Sequence, residues 1–221
     1  KFEAARPEMS ATGYPDVDVV ITTRELARMI KQAGIEFERL PDEDFDSLMG
    51  KSTGAAVIFG ATGGVMEAAL RTVYEVLTGE ELKKVDFDSV RGIQGIKEAT
   101  IKIGDLDVSV AVANGTGNAS KLLDMIRSGE KKYHFIEVMG CPGGCVTGGG
   151  QPIVPSPERD LVNPGIVRAK GLYDEDEGKT LRKSHLNPEI QTLYKEFLGS
   201  PNSHKAHELL HTHYTARTPH C

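Results

Sequence analysis

Short apolar runs separated by polar or glycine-rich segments recur along the first 140 residues of the chain. Residues 17–21 and 55–59 are short, largely apolar runs of the kind that form buried strands. Residues 96–103 and 106–112 flank a Gly-Asp pair and predict a β-hairpin. Residues 134–139 predict a further strand. The pattern therefore predicts several strands spread over this part of the chain.

Helices are predicted where apolar residues recur at helical spacing after a polar or glycine-rich turn. Thr22 and Glu25 have the spacing of a capping box, in which a hydroxyl and a carboxylate three residues apart satisfy the first backbone N–H groups. The helix that follows is expected to end at Gly34. Two more helices are predicted over residues 65–77 and 119–126.

The repeated order of strand, glycine-rich turn and helix is typical of an α/β fold with a largely parallel sheet flanked by helices. In such sheets, ligand sites form at the carboxyl ends of the strands, where the glycine-rich turns lie. After Pro157 the strand pattern stops, and residues 158–221 are charged and helical in pattern. We therefore expect an α/β lobe over residues 1–157 and a helical C-terminal extension over residues 158–221, packed on the lobe.

Charge and composition exclude several classes of protein. Lys and Arg number 26 and Asp and Glu 32, a net charge of −6, which argues against a general nucleic-acid-binding protein. No apolar run reaches the ~18 residues of a membrane span, and no secretory signal is visible, so we expect a cytoplasmic protein. Three cysteines are too few for a disulfide scaffold. The chain begins at Lys1 rather than Met, so we expect a processed chain or a piece of a longer one.

Two of the three cysteines lie in the segment Glu-Val-Met-Gly-Cys-Pro-Gly-Gly-Cys-Val-Thr-Gly-Gly-Gly-Gln-Pro, residues 137–152. Cys141 and Cys145 are four residues apart at the end of a predicted strand, where backbone N–H groups favour the thiolate. The neighbouring glycines let an inorganic cluster approach the backbone, whose N–H groups would hydrogen-bond its sulfurs. This pattern indicates an iron–sulfur cluster, with a redox dithiol or two buried core cysteines as alternatives.

Two further patterns leave alternatives open. The glycine-rich turns at residues 60–64 and 114–118 could cradle a phosphate, but neither has the G-x-G-x-x-G spacing or a Walker lysine, so tight turns are the simpler interpretation. The histidines of the tail have helical spacing but no carboxylate context, which favours an amphipathic helix over a metal site. These histidines are His204, His207, His211 and His213.

Residues 137–152 closely resemble the third cysteine signature of the iron-only [FeFe] hydrogenases. Residues 59–69, Phe-Gly-Ala-Thr-Gly-Gly-Val-Met-Glu-Ala-Ala, look like the glycine turn on the wall of the active site in that family. Residues 1–9 look like the stretch just after its second signature, and residues 203–214 like its C-terminal tail. The resemblance covers essentially the whole chain.

The resemblance implies reversible oxidation of H2 to protons and electrons at an H-cluster. This cofactor is a [4Fe–4S] cubane joined through one cysteine to a two-iron unit with CO, cyanide and a bridging dithiolate as ligands. By position, Cys141 would be a cubane ligand, and Cys145 the cubane ligand that also bridges to the two-iron unit. Met139 would pack against the two-iron site. Phe59, Gly60, Ala61 and Thr62 would line the cavity around the diatomic ligands, and Glu3 matches the glutamate that ends the second signature.

The first signature of the family is not in the printed sequence, and the cysteine and lysine of the second would fall just before Lys1. We therefore expect the C-terminal part of a catalytic subunit, inactive alone because two cluster cysteines and the proton path are missing. It would act with the N-terminal part of the same subunit and with a ferredoxin or a nicotinamide-linked electron-transfer subunit. The alternative is a hydrogenase-like iron–sulfur scaffold or assembly protein without H2 activity. Residues 59–62 and Met139 favour the enzyme, because they are needed only around a two-iron unit.

Overall fold

The computed structural model of the chain describes residues 1–10, 13–43, 51–92, 95–212 and 215–216. Its strands are β1 (Ile96–Ile103), β2 (Leu106–Asn114) and β3 (Phe135–Met139). Its α-helices are α1 (Thr23–Gln32), α2 (Gly54–Val57), α3 (Gly64–Thr78), α4 (Thr116–Arg127), α5 (Ser156–Leu161), α6 (Pro164–Gly178), α7 (Pro188–Leu193) and α8 (His204–Leu210). The prediction of an α/β fold is confirmed.

The three strands form one mixed sheet in the order β1-β2-β3. β1 and β2 are the predicted hairpin and run antiparallel, whereas β2 and β3 run parallel. The turn between β1 and β2 contains Gly104, whose φ of +58° is a conformation that glycine adopts readily. The hairpin and the strand at residues 135–139 are confirmed, but the prediction of a largely parallel sheet is wrong, because only one of the two strand pairs is parallel.

Two predicted strands are absent from the described part of the chain. Residues 55–59 lie in α2 and in the 3-10 turn that follows it, Ile58–Gly60. The Thr53 hydroxyl accepts a hydrogen bond from the Ala56 N–H at 3.1 Å and so caps α2. A short apolar run fits a helix as well as a strand, and here the cap favours the helix. Residues 17–21 pair with no strand, and their side chains are exposed.

The three predicted helices are confirmed as α1, α3 and α4. The capping box of α1 is present: the Glu25 N–H donates to the Thr22 hydroxyl, and the Thr22 N–H donates to the Glu25 carboxylate. α3 ends at Gly79, whose φ of +67° is left-handed. After residue 157 the described chain contains helices and turns but no strand, which confirms the helical character predicted there.

By internal contacts the chain divides into two compact units, residues 1–44 with 188–221, and residues 45–187. The first unit contains α1, α7 and α8, and α1 has no buried residue. The second contains the sheet and the helices from α2 to α6. The predicted boundary at residue 157 falls inside the second unit, and the predicted organisation into a lobe and an extension stays a prediction.

The core of the second unit lies on both faces of β2, the central strand. Val110 and Val112 face Met66 and Leu70 of α3 on one side. Alternate residues of a strand point to opposite faces, so Ala111 and Ala113 face α4 on the other side. Because both faces are covered, the last five residues of β2 are all buried. The carboxyl end of β2 is therefore held rigidly inside the unit.

A buried ionic network that the sequence pattern does not reveal joins α3 to α6. Arg71 is fully buried and donates to both carboxylate oxygens of Asp176 at 2.8 and 2.7 Å, and to Glu67 at 2.7 Å. Arg182 also donates to Asp176. Burial disfavours the charged carboxylate, but the guanidinium groups of Arg71 and Arg182 outweigh it and hold the pKa of Asp176 below its usual value. The network therefore joins α3, the helix that follows the glycine-rich turn at residues 60–64, to α6.

Candidate metal centre

The cysteine segment begins where the two parallel strands end. β2 and β3 run in the same direction, so their carboxyl ends meet at one edge of the sheet, with Asn114 opposite Met139. The Gly115 N–H donates to the Met139 carbonyl oxygen at 2.7 Å and closes this edge. The chain then leaves β3 through Gly140 and enters what we call the cysteine loop, residues 140–152. This is the location in the fold where the sequence pattern predicts a site.

Both thiols of the cysteine loop are free and exposed. Cys145 begins a single 3-10 turn, Cys145–Thr147. Because Cys141 and Cys145 are both exposed, the alternative of two buried core cysteines is excluded. Accessible thiols at the end of a strand suit metal ligation, which requires deprotonated sulfur with room for the metal.

The glycines of the loop are required by the backbone itself. Gly143 and Gly144 have φ of +92° and +98°, which side chains larger than hydrogen rarely allow. A Cβ atom on Gly144 would also lie 2.6 Å from the carbonyl oxygen of Gly60 and 2.8 Å from the nitrogen of Thr62. The loop therefore packs directly on the glycine turn, residues 60–64, and glycine at position 144 is what permits this approach.

Three backbone N–H groups of the loop are used inside the protein. The Gly143 N–H donates to the side-chain oxygen of Asn114 at 2.8 Å. The Gly144 N–H donates to the Cys141 carbonyl, and the Gly148 N–H to the Cys145 carbonyl. These three donors are already paired within the protein, and the expectation that glycine N–H groups of the loop hydrogen-bond cluster sulfurs stays a prediction.

The structure brings the predicted wall residues 59–62 against the cysteine loop. The Thr62 N–H donates to the Gly143 carbonyl oxygen at 3.2 Å, and the Thr62 hydroxyl lies 3.4 Å from the Asn114 side-chain oxygen. Ala61 and Thr62 are each 2% exposed, whereas Phe59 is 47% exposed. Phe59 and the partly exposed Gly60 are thus the members of this set that can meet a ligand, and Ala61 and Thr62 support them from within.

Glu137 of β3 is a functional candidate that the sequence argument missed. Its buried carboxylate accepts hydrogen bonds from the N–H groups of Gly63 and Met66, both at 2.7 Å. Burial raises the pKa of Glu137, and the two N–H donors counteract this by stabilising the charged form. A glutamate in an otherwise apolar strand was the available signal. The carboxylate occupies N–H groups at the start of α3 that a phosphate would need, so the structure opposes nucleotide binding at the glycine turn.

α6 holds the far half of the cysteine loop. The Arg168 guanidinium donates to the Val146 carbonyl at 3.0 Å and to the Pro152 carbonyl at 2.8 Å. At Gly165 a Cβ atom would lie 2.6 Å from the Thr147 methyl group, so α6 approaches the loop closely. Sequence reasoning did not find Arg168, because the contact joins residues that are far apart along the chain.

Other predicted residues lie elsewhere. Met139 is the partly buried last residue of β3. Glu3 belongs to the other unit, where it is exposed in a short 3-10 turn, 3.7 Å from the Arg6 guanidinium. The rings of His207 and His211 stack with centroids 4.6 Å apart. His213 and the third cysteine, Cys221, lie outside the described residues.

One acidic group in the second unit has the spacing of a cation site. Carboxylate oxygens of Glu67, Asp86 and Asp176 lie within 4.8 Å of one another. The guanidinium groups of Arg71, Arg91 and Arg182 already donate to them, however. Among the described residues, the tail histidines form no comparable group. The cysteine loop is therefore the strongest metal candidate in the part of the chain that the structure describes.

The donor set of the loop fits part of an iron–sulfur site. Two accessible thiols four residues apart supply half of the ~four thiolates that a [4Fe–4S] cluster takes. The backbone between them is fixed at Gly143 by Asn114 and Thr62, and next to it by the Thr147 hydroxyl of the loop itself, so both thiols are presented on a defined loop. The arrangement can bind a cluster when other ligands complete it.

Comparison with known proteins bears on this site. Residues 1–149 match the family model described as iron only hydrogenase large subunit, C-terminal domain, and residues 166–217 match iron hydrogenase small subunit. The chain is 58% identical over 217 residues to the NADP-reducing hydrogenase subunit HndD of Solidesulfovibrio fructosivorans, covering 98% of this chain and 36% of that protein. The apo [FeFe]-hydrogenase HydA1 from Chlamydomonas reinhardtii matches with a TM-score of 0.76 and 42% identity, over 97% of this chain and 60% of that one.

A more distant relative has a different description. The cytosolic iron-sulfur assembly component 3 of Pongo abelii is 32% identical over 228 residues, covering 98% of this chain and 45% of that protein. The chain thus spans 36%, 45% and 60% of the lengths of these three relatives, less than two thirds of each. Within the described residues, no helix combines the length and apolar character needed to cross a membrane.

Proposed function

Since the chain belongs to the iron-only hydrogenase family, we propose that it forms the C-terminal part of a catalytic subunit that reversibly oxidises H2 to protons and electrons. The observation that carries this proposal is the direct packing of the cysteine loop on the glycine turn. The Thr62 N–H bonds the Gly143 carbonyl, and Gly144 lies against the Gly60 carbonyl oxygen. Two accessible thiols and an exposed aromatic side chain from a neighbouring turn are the elements that a cluster-binding wall needs.

The H-cluster of this family supplies the redox and hydrogen chemistry when it is bound. Cys141 and Cys145 would hold its cubane, and Cys145 would also bridge to the two-iron unit. The exposure of both thiols supports these roles, and binding requires both as thiolates, so cluster uptake releases protons. The other two cubane ligands would come from a part of the catalytic subunit that this chain does not include.

The remaining site residues shape the surroundings of the cluster. Phe59 presents an exposed ring and would exclude water, and the partly exposed backbone of Gly60 would line the cavity beside it. Ala61 and Thr62 are buried and would act by fixing the backbone of the turn. Met139 would add an apolar thioether to the wall. Glu3 stays a predicted cofactor-binding residue.

The electron partner would be a nicotinamide-linked subunit or a ferredoxin. The first option has support from the 58% identity to HndD, which is described as a subunit of an NADP-reducing hydrogenase. H2 and protons would be the substrates. The cytoplasmic location stays a prediction.

The proposal is tested on the protein in its natural length, matured with its cofactor. Wild type is expected to show infrared bands of CO and cyanide and to turn over H2. Cys145→Ala is expected to lose these bands, because the bridge to the two-iron unit is gone. Cys221→Ala, which changes the third cysteine, is the control and keeps both properties. Retained CO and cyanide bands in Cys145→Ala contradict the role given to Cys145.

The alternative function, an iron–sulfur scaffold or assembly protein, is favoured by the similarity to cytosolic iron-sulfur assembly component 3. The same experiment separates the two. A matured natural-length protein that contains a cubane, but has neither CO and cyanide bands nor H2 activity, would support the scaffold and overturn the hydrogenase proposal.

A further inference from the structure

We propose that Asn114 is a positioning residue for the metal centre, and that its side-chain oxygen sets the spacing of the Cys141 and Cys145 thiolates. This inference rests on the proposed function, because it concerns the same site. It assigns the role to a residue outside the cysteine loop and outside the glycine turn. Asn114 acts through Gly143, which lies midway between the two cysteines.

Both backbone groups of Gly143 are held from outside the loop. Its N–H donates to the Asn114 side-chain oxygen at 2.8 Å, and its carbonyl oxygen accepts from the Thr62 N–H at 3.2 Å. The residues between the two cysteines are Pro-Gly-Gly, which have no polar side chain of their own. The Thr147 hydroxyl of the loop bonds the carbonyls on either side of Gly143, but the peptide groups of Gly143 itself depend on partners that other elements supply.

Asn114 is placed more rigidly than the loop it holds. It is the last residue of β2, opposite Met139 in the parallel ladder, and 4% exposed. Its own N–H donates to the Gly95 carbonyl at 2.8 Å, and its carbonyl accepts from the Asn118 side-chain amide at 2.7 Å. The position of its side-chain oxygen is thus fixed by the sheet and by the start of α4.

The buried side chain of Asn114 needs hydrogen-bond partners, and the cysteine loop and the glycine turn supply them. The preceding residues of β2, Val-Ala-Val-Ala at 110–113, are apolar and buried. A carboxamide buried beside them is unfavourable unless it is hydrogen-bonded. Its oxygen meets two donors, the Gly143 N–H and the Thr62 hydroxyl at 3.4 Å. One atom therefore couples the end of the strand, the cysteine loop and the glycine turn.

The consequence for a cluster follows from preorganisation. Groups that orient metal ligands without touching the metal commonly change metal affinity by about 10- to 100-fold when they are altered. Without the Asn114 oxygen, the buried Gly143 N–H loses its partner and the segment between the cysteines turns to find another. The two sulfurs then change their separation, and the cluster is held less firmly.

The test uses the natural-length protein with its cluster loaded. Asn114→Ala is expected to lose iron to a chelator about tenfold faster than wild type, with an altered electron paramagnetic resonance spectrum of the reduced cubane. Asn114→Asp keeps an acceptor oxygen at the same place and is expected to retain iron nearly as wild type does. Its added negative charge should make the cubane potential more negative.

Asn187→Ala is the matched control, because it removes another buried asparagine side chain, whose amide donates to the Lys51 carbonyl and bonds neither Asn114 nor the cysteine loop. It is expected to retain iron at the wild-type rate. Thr62→Val is a milder second variant for the case that Asn114→Ala does not fold, with an expected two- to threefold faster loss, roughly the effect of one weak neutral hydrogen bond.

Unchanged iron release and an unchanged spectrum in Asn114→Ala, or in Thr62→Val where the alanine variant does not fold, would overturn the inference while leaving the proposed function intact. A natural-length wild type that takes up no cubane at all would instead overturn the proposed function, and this inference with it. The two failures are therefore distinguishable in one set of measurements.

Discussion

At Gly144 the backbone has a φ of +98°, and the carbonyl oxygen of Gly60 lies only 2.6 Å from where a Cβ atom would be. The two constraints are independent, since one concerns the local conformation and the other the neighbouring turn. Backbone atoms on both sides leave no flexible side chain that could move away. Residue 144 is therefore the point at which the cysteine loop is most sensitive to a single methyl group.

We predict that Gly144→Ala destabilises the protein by about 1–3 kcal/mol, because left-handed backbone and a backbone clash both oppose the new methyl group. Denaturant unfolding of variant and wild type measures the difference. Gly149→Ala is the control in the same loop, since a Cβ there meets no atom within 4 Å, and it should change the free energy of unfolding by less than about 0.5 kcal/mol. Equal effects of the two substitutions would contradict this account.

At the same scale, the sequence identified the two cysteines and the glycine turn but not what holds them. Residue type and spacing indicate which side chains can bind a metal. Asn114 and Arg168, which hold the loop, and Glu137, which holds the glycine turn, come from other elements, and their contacts span 22 to 74 residues of sequence. A pattern read along the chain cannot show which distant residues fold next to it.

At the level of elements, periodicity and capping predicted the helices and the hairpin, but not every strand. The run at residues 55–59 is apolar, short and partly buried, and those properties suit α2 as well as a strand. Two missing strands leave a sheet of three, in which one pair is antiparallel. The sheet edge predicted to hold the site is nevertheless present, because β2 and β3 are parallel and their carboxyl ends lie side by side.

The junction of α3 and α6 depends on charges that are paired inside the protein. We predict that Asp176→Ala lowers the free energy of unfolding by about 3–5 kcal/mol, since it leaves the fully buried Arg71 with less compensation. Asp174→Ala, on the same helix, removes only an exposed pair with Lys170 and should cost less than about 1 kcal/mol.

Thermal or denaturant unfolding compares the two aspartate variants directly. A similar, small loss in both would mean that the Arg71 network adds no more than a surface ion pair.

At the scale of the whole molecule, parts of two matched regions meet in the second compact unit. Residues 1–149 match the large-subunit model and residues 166–217 the small-subunit model, with a short segment between them. Arg71 and Asp176 pair across this division, and Arg168 reaches across it to the Val146 carbonyl. The two matched regions are thus held together by contacts as well as by the continuous chain.

We predict that a protease site inserted near Ile153, which is 78% exposed between the two regions, can be cut without separating the pieces. The buried network and the Arg168 contacts remain after cleavage, so the pieces should co-elute in size-exclusion chromatography and separate only in denaturant. The uncut protein with the same insertion is the control. Separation of the cut pieces in native buffer would show that the backbone connection, rather than these contacts, keeps them together.

The buried Arg71 network also fixes the register of α6. An apolar seam between two helices tolerates sliding by one turn, about 5.4 Å, because one methyl group can replace another. A guanidinium group with directed N–H bonds does not, since the same slide would leave Asp176 facing no donor. Arg168 lies eight residues earlier on this helix, about 12 Å along its axis. Because the buried ion pairs fix the position of Asp176 along the helix axis, they also fix the position of Arg168 on the same helix. The buried charges therefore determine where Arg168 contacts the cysteine loop.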